Sequence, residues 1–188
     1  MQCRFPEPAQ KKEIEMQTET KRQGLVDSIL MEIEQEAVVT KRLLDIIPED
    51  KLSWRPHPKA KTLGGLAMHL ATLQGGVAET SSTDITERPM FPPDPQPKSR
   101  EEILRAFADS QAKAKKIVAS TTDERALAEW KLVQGERTIL SMPRASFWRS
   151  VLLNHNYHHR GQLSTYLRQL DVELPSIYGP TADVDPFA

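Results

Sequence analysis

The stretch LLNHNYHHRGQLSTYLRQL, residues 152–170, constrains the fold of this chain more than any other. On a 3.6-residue wheel Trp148, Val151, Leu152, His155, His159, Gln162 and Tyr166 gather on one stripe. A helix of this kind must bury that stripe against other helices, and it carries inward two imidazoles four residues apart, close enough to grip one ion. His158 falls to the side, roughly 60° from His155 and about 100° from His159, so it is expected to pack or hydrogen-bond at the edge.

Three further segments show the same periodicity. Apolar residues recur through Leu25, Ile29, Ile33, Ala37, Leu44 and Ile47 until Pro48 stops the pattern, which predicts a first helix. The prolines of LSWRPHPKAKT forbid continuous helix, and Thr62 is a good N-cap for a second one from about Leu63 to Glu79. Leu66, His69 and Leu73 share a stripe there, while Gly65 and Gly76 lower the intrinsic propensity, so packing must hold this helix. Five prolines after Arg88 predict a stiff connection without regular structure, long enough to cross over along a bundle. The pattern S-x-x-E at Ser99 and Glu102, followed by Ile103, Leu104, Phe107, Ala114, Ile117 and Val118, marks a third helix to about Ser120.

A short helical turn is expected at Asp123 to Ala128, and WKLVQGERTILSM reads as a small hairpin or an extended excursion. Pro143 suits the first turn of the fourth helix, which runs to about Leu170, and the turn-rich tail beyond it is expected to lie over the bundle. Four helices of bundle length with almost no strand signal predict an all-α four-helix bundle, its long connection breaking simple up-down-up-down wiring.

With 188 residues the chain fits one domain over residues 24–188, preceded by a charged stretch, residues 1–23, read as a flexible or loosely packed extension. A net charge of -1 gives no basic field for nucleic acid. No apolar run approaches the length of a membrane span, and the first residues lack the apolar stretch of a signal peptide, so the cytoplasm is the expected compartment. The single cysteine, Cys3, lies in the polar extension, which excludes a disulfide framework and reads as an incidental thiol rather than a nucleophile.

A lone histidine on an apolar face is ordinarily a hydrogen-bonded core residue. Three imidazoles buried together with no carboxylate to satisfy them are costly unless a cation organises them, which makes His69, His155 and His159 the candidate metal ligands. Three imidazoles from two helices leave a coordination position open, as catalytic metals require. His57, bounded by prolines in WRPHP, is assigned to local structure. Glu36 lies on or beside the inward face of the first helix, where it could accept an imidazole N–H or a proton; a solvated helix glutamate is the commoner reading. Gln162 and Tyr166 could orient a substrate or a water, and amphipathic packing explains them equally well.

The runs PEDKLSWRPHPKAKTLGGLAMHLATL and NHNYHHRGQLSTYLRQLDVELPSIYGPTAD, with their separation, resemble the DinB/YfiT-like superfamily of metal-binding four-helix bundles over about Leu25 to Asp183. The resemblance implies an up-down-down-up bundle and a divalent metal, nickel or zinc most often, held by His69, His155 and His159. Arg160 and Gln162 match the family block without acquiring a role from it. Proteins similar in this way include thiol S-transferases, a thiol-dependent isomerase and metal-dependent hydrolases, so a low-molecular-weight thiol is an implied cosubstrate and a homodimer an implied assembly. The motif H-E-x-x-H of zinc peptidases is absent, since Asn156 follows His155, which tilts the expectation toward activating a small thiol against an electrophilic small molecule. Hydrolysis by an activated water, and a non-catalytic bundle stabilised by its metal, are the alternatives.

Overall fold

The computed structural model describes residues 24–89 and 95–188. The expectations for residues 1–23, Cys3 included, lie outside the described residues. Helix α1 (Leu25–Asp45) starts where the backbone N–H groups of Leu25 and Val26 donate to the Asp123 carboxylate at 3.0 and 2.9 Å, so its cap is borrowed from a distant element. After a 3-10 turn (Glu49–Lys51), α2 (Leu63–Thr80) begins at the expected Thr62, whose hydroxyl accepts from Gly65 N at 3.0 Å. Most of α2 is buried, which is how a glycine-bearing segment holds its helix. Helix α3 (Arg100–Ala119) opens on the predicted cap: Ser99 Oγ accepts from Glu102 N, and the Glu102 carboxylate accepts from Lys98 N at 2.8 Å.

A short helix α4 (Asp123–Leu127) leads into strands β2 (Glu129–Gln134) and β3 (Arg137–Pro143). The last bundle helix is one continuous rod in three parts: α5 (Arg144–Phe147), a π-helical segment (Trp148–Leu153) and α6 (Asn154–Gln169). Helix directions follow from the contacts. Gly64 lies against Pro97, Gln74 against Gln111 and Glu79 against Lys113, so α2 and α3 run parallel. Glu32 meets Arg149, and Glu36 meets Arg160, so α1 and the last rod also run parallel, whereas Ser81 beside Trp148 and Trp54 beside Tyr166 set α2 antiparallel to that rod. The bundle is up-down-down-up.

Two expectations need correction. The connection after α2 is not wholly irregular, because Ile85–Glu87 forms a strand, β1, pairing parallel with β2. The strand content is also larger than the pattern indicated: β1-β2-β3 form a three-stranded sheet, with β2 and β3 joined as a hairpin at Gly135, whose φ of 58° suits a tight turn. Trp130 anchors this sheet on the bundle end by stacking on Phe147 at 4.1 Å. Buried Arg144 ties the corner, donating to Ser81 O, Arg125 O and Thr83 O and pairing with Asp84 at 2.8 Å. No helix among the described residues is long and apolar enough to cross a membrane.

The apolar core comes in two clusters. One holds Ile29, Ile33, Val118, Trp130, Trp148 and Leu152 near the sheet; the other holds Leu43, Leu44, Leu63, Leu66, Phe107 and Leu167 at the far end. Between them each long helix contributes polar side chains: Glu36 and Thr40 from α1, His69 and Gln74 from α2, Ser110 and Gln111 from α3, and His155, Asn156, His159 and Arg160 from α6.

Helix α2 touches α3 most closely at Gly75, where an added Cβ would lie 2.8 Å from Ser110 O, whereas a Cβ at Gly76 would meet nothing within 4 Å. Gly75→Ala should therefore destabilise the fold by about 1–3 kcal/mol, and Gly76→Ala should stabilise it by up to ~1 kcal/mol through helix propensity. Urea denaturation of both variants checks the opposite signs.

Candidate metal centre

The N-terminal turns of α6 and the second turn of α2 face each other across the bundle, and this brings His69, His155 and His159 together. One ring nitrogen from each lies within 4.8 Å of the other two. Ring centroids are 4.4 Å apart for His155 and His159, 4.5 Å for His69 and His159, and 5.5 Å for His69 and His155. His159 is buried and the other two are half-buried, so the cluster closes on one side and opens on the other.

The hydrogen bonds around the cluster set the protons. His159 Nδ1–H donates to Gln162 Oε1 at 2.8 Å, leaving Nε2 with its lone pair toward the centre, 2.7 Å from His155 Nε2. Burial lowers the His159 pKa to about 4, against the pull of the Gln162 bond. His155 is lowered too, by burial first and then by the charges of His158 and Lys61. Both rings are thus neutral near pH 7, the form in which imidazole binds a metal. About 3.4 Å separates donor atoms on a tetrahedral ion with bonds of 2.0–2.1 Å, a spacing these rings reach by small rotations. The donor set fits a first-row divalent ion.

The other singled-out residues have distinct places. Gln162 acts on His159 from outside the cluster. Tyr166 packs edge-on against Trp54, with ring centroids 5.6 Å apart. His158 is exposed and touches only the outer side of His159 by its ring, as the wheel indicated. His57 folds its own loop by accepting from Lys59 N at 3.1 Å. Glu36 is held by Arg160 at 2.6 Å and accepts from the Tyr178 hydroxyl at 2.7 Å.

Sequence reasoning overlooked this second face of α6. Asn156 and Arg160, also four residues apart and both buried, point toward α1, where Asn156 Oδ1 accepts from Thr40 Oγ1. The Arg160 guanidinium lies between the rings of Tyr157 and Tyr178, at 5.2 and 4.9 Å, and donates to the Tyr178 hydroxyl. Burial and the bond to Glu36 push the Tyr178 pKa up to about 12, so the hydroxyl keeps its proton. An i, i+4 polar pair off the histidine stripe was the available signal for Asn156 and Arg160; Tyr178, in a turn-rich tail, carried none.

The fold and site define a four-helix bundle wired up-down-down-up with three histidines clustered inside it, and the comparisons with known proteins agree on the bundle. Residues 10–184 match the DinB family, and the chain belongs to that family. The match begins inside the stretch set apart from the core. A Bacillus subtilis (strain 168) relative, the uncharacterized protein YrdA, is 28% identical over 158 residues, covering 84% of this chain and 90% of YrdA. Among solved structures, a DinB-like protein from Bacillus cereus ATCC 10987 superposes with a TM-score of 0.64 at 24% identity, covering 80% of this chain and 95% of its own. YfiT from Bacillus subtilis, described as a probable metal-dependent hydrolase with an unusual four-helix bundle topology, gives 0.60 at 14% identity, covering 79% and 89%.

Metal analysis of purified variants checks the ligand set. His69→Ala, His155→Ala and His159→Ala should each lose most bound metal, and His158→Ala should keep it; equal loss in all four would sink the assignment. A pH test addresses the metal-free protein. Above the ordinary histidine value of 6.5 the rings are neutral whether folded or not, and stability is level. As pH falls from 6.5 toward about 4 the unfolded chain takes up protons that the folded site refuses, so stability drops. Denaturation at pH 7, 5.5 and 4 should show this loss in the wild type and a smaller one in His159→Gln.

Proposed function

We propose that this chain is a divalent-metal-dependent enzyme, using nickel or zinc held by His69, His155 and His159, that activates a small thiol against an electrophilic small molecule. The observation that carries the choice of nucleophile is the placement of Glu36. Its carboxylate is committed to Arg160 and Tyr178, and Asn156, following His155, turns toward Thr40. After attack, hydrolysis must also move the second proton of the water to the leaving group, a transfer that a nearby base would carry, whereas a thiol has only one proton to lose. A bound divalent ion would supply Lewis acidity that lowers the pKa of a thiol or a water.

The chain's own residues do the rest. Gln162 fixes the His159 tautomer, and the half-buried rings of His69 and His155 border the side from which reactants enter. In the transfer the thiol proton leaves to solvent, the sulfur forms a bond to the electrophilic carbon, and the leaving group departs with the electron pair of the bond it breaks. The description of YfiT as a probable metal-dependent hydrolase supports a second reading, in which water replaces the thiol.

Activity toward a chromogenic electrophile should require both a divalent metal and an added low-molecular-weight thiol, and should persist in Cys3→Ser, since the chain has no other cysteine. Ester or amide hydrolysis by the metal-loaded protein without thiol transfer would replace this reading by the hydrolase.

A further inference from the structure

A second polar feature lies at the end of the bundle where α2 begins. The loop between the 3-10 turn and α2 encloses, with Gln96, a cavity of about 540 Å³ whose lining includes Arg55, Lys59, Lys61 and Thr62. No acidic residue is among the described residues that line it. The whole chain has 25 basic and 26 acidic residues, so three cations in one concavity depart from its balance. Arg55 and Lys59 form no ion pair among the described residues; Arg55 reaches only the Pro58 carbonyl of its own loop, at 3.4 Å.

The cavity is built rather than accidental. Pro56 and Pro58 stiffen the loop, and Ala60 N to His57 O and Leu63 N to Trp54 O, at 2.9 and 2.8 Å, close it on itself. The Thr62 hydroxyl donates to Gln96 Oε1 at 2.7 Å, which fastens the opposite wall. The first N–H groups of α2 are already engaged, by Trp54 O, Leu52 O and Thr62 Oγ1, so an anion here would be recognised by side chains and not by the helix end.

The loop that forms the cavity also packs on the helix that carries the histidine cluster. Trp54, in the same loop, packs on Tyr166, which shares the α6 stripe with His159. Seven residues of helix separate Thr62 from His69, a rise of roughly 10 Å.

We infer that this cavity is a substrate subsite for an anionic group, a carboxylate or a phosphate, carried roughly 10 Å from the reacting atom of the molecule that the histidine centre transforms. The inference rests on the enzyme reading above for the word substrate, but the anion site itself can be tested without it. Such a substrate is held at two points, by its anionic end on Arg55 and Lys59 and by its reactive end at the histidines. Fixing both ends orients the reacting atom.

The test uses the full chain, metal-loaded and after chelation, titrated with methyl phosphate and with acetate while backbone amide resonances are followed. Saturable shifts at residues 55–62 are expected, retained after chelation, and weakened at least about tenfold in the exposed double variant Arg55→Ala/Lys59→Ala. Charge reversal by Lys59→Glu gives a second reading should the double variant fold poorly. Saturation by methyl phosphate alone assigns a phosphate ester, by acetate alone a carboxylate, and by both an unselective anion site. Shifts that vanish on chelation would place the anion on the metal and overturn the inference, as would unsaturable shifts or equal binding by the variants. A chain that binds no metal yet keeps the saturable shifts would overturn the enzyme reading and leave the anion site standing.

Discussion

Polar groups buried at mid-height of the bundle are the constraint on which the rest of this structure depends. Each of the four long helices gives up part of its inward stripe to them, and the apolar core is split in two as a result. A buried donor or acceptor left unmatched costs about 1–3 kcal/mol, and Gln74 Nε2, Gln111 Oε1 and Asn156 Nδ2 are buried without a hydrogen-bond partner. Complete burial of one Leu or Ile contributes about 1.5–3 kcal/mol, so the two flanking clusters can offset such a layer. Neither cluster could lose many side chains and still do so.

The layer separates two kinds of chemistry on one helix. One face of α6 turns His155 and His159 toward His69 on α2; the adjoining face turns Asn156 and Arg160 toward Thr40 and Glu36 on α1. The carboxylate nearest in kind to a metal ligand is thereby spent on a buried guanidinium. Breaking that pair from one side would strand a charge in a low-dielectric interior, which costs far more than the intact pair contributes. The two faces therefore keep an all-nitrogen donor set apart from the acidic group that would otherwise change its charge.

The helices and the histidine cluster were legible in the sequence because both rest on local rules. Thr62 and Ser99 cap where expected, and the i, i+4 spacing of His155 and His159 survives folding intact. Strand β1 was not legible: Ile85, Thr86 and Glu87 are three residues in a proline-bounded connection, and only the distant Lys131–Val133 backbone makes them a strand. The partners of Glu36 were hidden for the same reason, since Tyr178 lies 142 residues away in a tail without periodicity. Long-range pairing of this sort leaves no trace in a window of one helix.

The π-helical segment immediately before the histidines left no trace either, as WRSVLL contains neither glycine nor proline. A π turn accommodates an extra residue while the chain on both sides stays helical. Chain length is therefore adjustable here: removing one residue between Trp148 and Leu153 would let the ladder close as ordinary α-helix. Arg144 and Phe147 on one side and everything from Asn154 on the other would keep their facing, because six residues of π-helix turn through about as much as five of α-helix. In an alignment with a relative whose last helix lacks the π turn, the single-residue gap belongs inside WRSVLL, so that the histidines and the sheet-facing end both stay matched.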